Sequence, residues 1–212
     1  MSLFRRLLYG LRRARYPGGL EYWEKRYADG GCSGSGSTGP LAAYKADWLN
    51  NFVRQKVVHS VAELGCGDGQ QLQLAHYPDY LGLDVAPSAI RRCQALFAGD
   101  SAKRFAVYDP FDFDPASAAA DLVLSLEVIF HLTEEAVYQQ YMQHLFGLAR
   151  HWVVVFSSNE ADHTGGQFPH FRPRHFTSDV PQGWILEEHV PNPHRDISIS
   201  DFFVFKRSEQ AC

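Results

Sequence analysis

The segment Val61-Ala62-Glu63-Leu64-Gly65-Cys66-Gly67-Asp68-Gly69 constrains the fold more than any other. A short apolar run enters a G-x-G-x-G turn, and helical spacing follows from about Gln70. Glycines at such a turn let the chain reverse sharply and let a ligand approach the backbone without Cβ atoms in the way. A strand that ends this way needs neighbours in a sheet. Residues 57–64, 80–84, 104–108, 122–126 and 152–156 read as five strands, and 184–190 and 202–205 as two more. Helical patterns fall between them, at 88–97 and again from Thr133, a candidate N-cap followed by Glu134 and Glu135. Leu41, Tyr44, Lys45 (through its stem), Trp48, Phe52 and Val53 mark a further helix packed on the sheet. The alternation predicts an α/β fold, a mostly parallel seven-stranded sheet with helices on both faces. With 212 residues, 45% of them hydrophobic, the chain has material for one such domain.

The second strand ends in Asp84, nineteen residues after Gly65. A carboxylate there is placed to accept both hydroxyls of an adenosine ribose. Dinucleotide-binding folds use the same two devices, but their G-x-G-x-x-G fingerprint requires a small residue where this chain has Gln70. A bulky side chain there crowds a pyrophosphate. A ligand with adenosine and an amino-acid tail, but no phosphate, fits better.

These residues resemble the class I S-adenosylmethionine-dependent methyltransferases, which have a Rossmann-like fold. Glu63 to Gly69 looks like their first motif and Gly82-Leu83-Asp84-Val85 like the second. Asp109 follows the third strand, and Asp121 to Leu132 (DLVLSLEVIFHL) looks like the motif bordering the transfer site. The resemblance implies S-adenosyl-L-methionine as cofactor. Gly65, Cys66 and Gly67 would then flank its amino-acid part, Asp84 its ribose and Val85 its adenine. Asp109 would meet the adenine amine or structure its own loop. Glu63 would orient the turn and help place the ammonium group. Tyr27 and Arg26 would close over the carboxylate, or else form a small aromatic cluster with a solvated arginine. A narrower similarity, through Tyr22 to Tyr27, the SGSGS loop, residues 168–176 and Asp201-Phe202-Phe203, is to a bacterial methyltransferase group encoded among surface-polysaccharide genes. Glu127 departs from that group, which more usually has Asp there.

Methyl transfer needs an acceptor atom aligned with the methyl group and, for a hydroxyl acceptor, somewhere for its proton to go. His131, just beyond the fourth strand, is the candidate proton acceptor; capping the next helix is its alternative role. Glu127 would orient the acceptor or contact the cofactor. His170, Arg172 and Arg174 lie in a long polar loop that is either an acceptor-binding lip or an ordinary solvated segment. The histidine spacings there match no common zinc pattern, so no metal is expected. The expected function is O-methylation of a small or glycan-like acceptor. The alternatives are an RNA or protein methyltransferase, or a non-catalytic cofactor-binding partner subunit.

Residues 1–19 stand apart from the domain expected over 20–212. Leu3, Phe4, Leu7, Leu8 and Leu11 share one helical face, with Arg5, Arg6, Arg12 and Arg13 around the other. This basic amphipathic arm can dock on the domain or a partner, lie on an anionic membrane, or serve as an organellar transit segment. The net charge of −4 argues against a phosphate-tracking nucleic-acid binder. Cys32, Cys66, Cys93 and Cys212 form no C-x-x-C pair, which favours a reduced, cytoplasmic setting, with peripheral membrane attachment through the arm as an option. No apolar stretch approaches the ~18 residues that a membrane span requires.

Overall fold

A computed structural model describes residues 18–160 and 169–208. The amphipathic arm at 3–15 lies outside the described residues. Among the described residues four α-helices form: α1 (Gly19–Ala28), α2 (Gly39–Gln55), α3 (Pro87–Leu96) and α4 (Glu135–Leu148). Seven strands form: β1 (Val61–Leu64), β2 (Tyr80–Asp84), β3 (Lys103–Val107), β4 (Ala120–Leu126), β5 (Ala149–Ser157), β6 (Trp184–Val190) and β7 (Asp201–Arg207). They make one sheet in the order β3-β2-β1-β4-β5-β7-β6. The sheet is mostly parallel, and β7 runs antiparallel to both β5 and β6.

The central strands are buried on both faces, which is why they read as continuous apolar runs rather than alternating ones. On one face Leu41, Leu49, Phe52 and Val53 of α2 and Ile90 and Cys93 of α3 pack against Val61, Leu122, Leu124, Val154 and Phe202. On the other, Tyr138, Tyr141, Leu145 and Phe146 of α4 cover Ala62, Leu64, Val123, Val153 and Phe203.

Three local expectations need correcting. The first strand starts at Val61 rather than Val57, because α2 runs to Gln55 and closes on Val57. Val57 N–H bonds the Arg54 carbonyl and Val58 N–H that of Val53, a Schellman closure with Val57 left-handed at φ 52° where glycine is usual. The helix expected from Gln70 is a single 3-10 turn, Gln71–Leu74. Thr133 does not cap α4: Glu134 stands at the N-cap, and Thr133 Oγ1 donates to its carboxylate. The SGSGS loop carries a short 3-10 turn at Ser35–Ser37.

The chain steps from β1 outward to β2 and β3, then returns to place β4 on the other side of β1. Strands leaving in opposite directions open a crevice at their carboxyl ends, where open α/β sheets bind ligands. Helix α1 and residues 29–38 lie over that crevice.

Candidate active site

Beyond β1 the backbone takes left-handed conformations at Gly65, Gly67 and Gly69, with φ of 86°, 59° and 80°. Gly65 and Cys66 N–H both bond the Leu83 carbonyl, at 2.7 and 3.1 Å, fixing the turn against β2. A Cβ on Gly65 would lie 2.4 Å from Val128 Cγ2, so this glycine also lets the segment after β4 close on the turn. Asp84 completes the arrangement: its two carboxylate oxygens accept from Gly67 N–H and Ala86 N–H, each at 2.9 Å. Burial pushes its pKa up to about 6, against those two bonds. Each oxygen keeps a lone pair for a further donor.

Glu63 sits beneath the turn and accepts from the Tyr80 hydroxyl at 2.6 Å. Burial pushes it up to about 7, with the Tyr80 bond and the Lys45 ammonium pulling the other way.

The overlying lid is tied down at several points. Ser33 N–H and Oγ both donate to Asp68, at 3.2 and 2.7 Å, and Asp68 N–H returns a bond to Ser33 Oγ at 3.2 Å. The Tyr27 hydroxyl lies 3.0 Å from Ser33 Oγ. Arg26 Nε donates to the Cys32 carbonyl, while Arg92 bonds the carbonyls of Gly31 and Tyr27. Glu24 accepts from Ser88 N–H and Oγ in the first turn of α3, and Glu134 accepts from Gly19 N–H.

After β4 the chain turns at Glu127, which takes φ 60° although it is not glycine. Its carboxylate is held on both oxygens, by Lys45 Nζ at 3.1 Å and Ser198 Oγ at 2.9 Å. His131 Nδ1 lies 2.7 Å from the His170 carbonyl oxygen. A carbonyl only accepts, so Nδ1 carries the proton and Nε2 of the neutral ring is an acceptor. Burial pushes the His131 pKa down to about 4, so this neutral form persists across the physiological range. The ring packs edge-on to Trp23, and His170 stacks on Tyr22.

Between lid and sheet lies a cavity of about 320 Å³, within the range of small-molecule sites. Of the residues singled out from the sequence, Arg26, Tyr27, Glu63, Gly65, Cys66, Gly67, Asp84, Val85, Glu127, His131 and His170 all line it. Asp109 does not: it accepts from Phe111 N–H and so structures its own loop, while Tyr108 and Pro110 reach the wall. Arg172 and Arg174 are also off the wall. Arg172 bonds the Thr133 carbonyl, and Arg174 bonds Glu135 and the Leu132 carbonyl and stacks over Tyr138. These contacts hold the loop around residues 172–174 to the start of α4.

Several residues of the cavity and lid, or bonded to them, are not singled out by the sequence: Trp23, Ser33, Glu134, Lys45 as a charged group, Asp68 on Ser33 and Ser198 on Glu127. Lys45 carried a signal, a cation inside an apolar helical stripe, and Asp68 lies within the glycine loop itself. Ser198 carried none. Among the described residues no group of three or more His, Cys, Asp or Glu is arranged to hold a metal, and no helix is long and apolar enough to cross a membrane.

Residues 61–151, a little under half of the chain, match a family described as a methyltransferase domain. The matched segment carries β1 to β4, the glycine turn and Asp84. Comparison with curated protein sequences gives no match. Among solved structures, the chain is similar to the N-methyltransferase NodS from Bradyrhizobium japonicum WM9 in complex with S-adenosyl-L-homocysteine (TM-score 0.71, 18% identity, 91% of this chain and 100% of that one). It is also similar to magnesium protoporphyrin IX methyltransferase from Synechocystis PCC 6803 with bound SAM (TM-score 0.59, 18% identity, 98% and 99%). A third is the methyltransferase domain of bacterial CtHen1-C (TM-score 0.63, 18% identity, 79% and 98%). At these identities the likeness is one of fold.

Proposed function

We propose that the protein transfers the methyl group of S-adenosylmethionine to a hydroxyl of a small or glycan-like acceptor. The observation that carries the reading is the cavity where the left-handed glycine turn, the buried Asp84 carboxylate and the neutral His131 imidazole meet. The residues fit the cofactor. Asp84 has lone pairs for two ribose hydroxyls, Val85 flanks the base, and Glu63 faces the side where an ammonium group would lie. The Arg26 guanidinium is the cavity-lining cation on the lid and suits the methionine carboxylate. When bound, the cofactor supplies an activated methyl group on sulfur.

The chain's own contribution is enclosure and orientation. The lid excludes water, and His131 Nε2 accepts a hydrogen bond from the acceptor hydroxyl and orients its oxygen. A pKa near 4 makes His131 a weak base, so its work is alignment first and proton acceptance second. His170 and the aromatic rings of Tyr22 and Trp23 supply the acceptor wall. Arg172 and Arg174, being committed to Glu135 and to backbone carbonyls, support that wall from behind. An acceptor made by surface-polysaccharide assembly suits a wall of aromatic rings and hydroxyl-accepting groups. Membrane-surface or partner contact through residues 3–15 would bring the domain to it.

Calorimetry with S-adenosylhomocysteine tests the cofactor assignment: no binding at millimolar concentration rejects it. An acceptor screen that follows S-adenosylhomocysteine release then tests the reaction. Turnover only on amines, RNA or protein would replace the hydroxyl acceptor. Full-length and arm-truncated protein that float equally with anionic liposomes would reject the membrane contact.

A further inference from the structure

Lys45 is buried to 1% exposure although it carries a full charge, and it reaches the cavity wall from α2. Its ammonium lies 3.1 Å from Glu127 Oε2 and over the ring of Phe156. Ser198 holds the other carboxylate oxygen, and Glu127 N–H bonds the Phe156 carbonyl at 2.7 Å. Carboxylate and backbone are therefore both fixed, in a conformation that a non-glycine residue adopts only when its surroundings impose it. A buried cation is costly to keep, and replacing such a pair by apolar groups is often neutral for stability, so stability alone is a weak reason for it.

Its position suggests what the pair acts on. Strands β2, β1 and β4 are neighbours in that order. With the ribose at Asp84, beyond β2, and the amino-acid part along the turn after β1, the sulfur that joins them would lie at that turn, in the cavity that Lys45 and Glu127 also line. Val128, next to Glu127, packs against Gly65 there. The donor's sulfur carries a positive charge; the product's thioether does not. A lone carboxylate at this place would favour the donor, and an ammonium group 3.1 Å away offsets it.

We propose that Lys45 and Glu127 form a balanced charge pair that sets the cavity's preference between the sulfonium donor and the thioether product, with Lys45 as a positioning residue. The inference rests on the cofactor reading above. Calorimetry of S-adenosylmethionine and S-adenosylhomocysteine, each separately, on wild type, Lys45→Met, Glu127→Gln and the double variant tests it. The affinity ratio of donor to product should rise on the order of tenfold in Lys45→Met and fall on the order of tenfold in Glu127→Gln. It should return to within about twofold of wild type in the double variant, because removing both charges leaves the site with no net charge, as in the intact pair. A role in structure alone would shift both affinities together and leave the ratio unmoved. If Lys45→Met does not fold, for want of a partner for its buried carboxylate, Glu127→Gln and the double variant carry the test. Folded variants that bind both compounds with the wild-type ratio overturn this inference alone. A wild-type protein that binds neither compound overturns the cofactor reading and the inference with it.

Discussion

Asp84 links cofactor binding to proton concentration in a way that can be worked out from its surroundings. Burial raises its pKa from 3.8 to about 6, so the ligand-free protein holds a proton there that the unfolded chain releases earlier. A shift of this size corresponds to about 3 kcal/mol. Because the folded-state pKa is raised, that contribution to stability is fully present below about pH 4 and is lost as the pH rises through about 6. Cofactor binding has the opposite slope. Two ribose hydroxyls donating to the carboxylate favour its ionised form, so binding must expel the proton wherever Asp84 is protonated. Affinity for S-adenosylhomocysteine should therefore rise by up to about tenfold per pH unit between about pH 5 and 6 and level off above. Glu63, raised to about 7 by burial, extends the rise toward neutrality if it meets the ammonium group. Asp84→Asn separates the two, since it keeps an acceptor oxygen but cannot ionise. It should remove the slope below about pH 6 and weaken binding roughly 10- to 100-fold, one charge-assisted bond's worth. Calorimetry across the range checks both statements. A wild-type affinity that is flat from about pH 5 to 7, or an Asn variant with the wild-type slope, would refute the argument.

Ser33→Ala removes the hydroxyl that joins Asp68 to Tyr27; dissociation of S-adenosylhomocysteine should speed up about tenfold in stopped-flow displacement, for one to two hydrogen bonds. Gly65→Ala faces both φ 86° and a 2.4 Å approach to Val128. A loss of about 1–3 kcal/mol, read as a lower Tm, is expected, and an unchanged Tm would contradict that packing. Arg174→Met should lower the Tm by several degrees, at about 1–3 kcal/mol, with S-adenosylhomocysteine affinity unchanged. Loss of turnover at an unchanged Tm would instead return Arg174 to the acceptor.

The sheet and the cofactor crevice were legible in the sequence because their signals are local. Val61 to Leu64 running into Gly65, and Tyr80 to Leu83 running into Asp84, each place strand and ligand group within a few residues. Boundaries failed where tertiary contacts overrode propensity. Val57 is β-branched and reads as strand, yet it closes α2 in a left-handed conformation because Val58 must enter the core. Thr133 has the chemistry of an N-cap, but the neighbouring Glu134 carboxylate draws its hydroxyl away. Arg172 and Arg174 looked like anion forks for the same reason they make good braces: a guanidinium serves a carboxylate or a carbonyl whether these belong to a ligand or to the chain.

What the sequence hid lies in pairs far apart along the chain. Ser33 and Asp68 are 35 residues apart, and Lys45 and Glu127 are 82 apart. Both pairs meet at the same loop. Ser33 fastens it to the glycine turn, and three residues on Gly36 crosses so close to Glu127 that a Cβ would fall 2.0 Å from the carboxylate. One short segment is thus fastened to the glycine turn and touches Glu127. Opening it to admit cofactor must release Asp68 and uncover Glu127 together. Closing it also brings Tyr22 and Trp23 to the cavity wall, because they sit on the helix that leads into the loop.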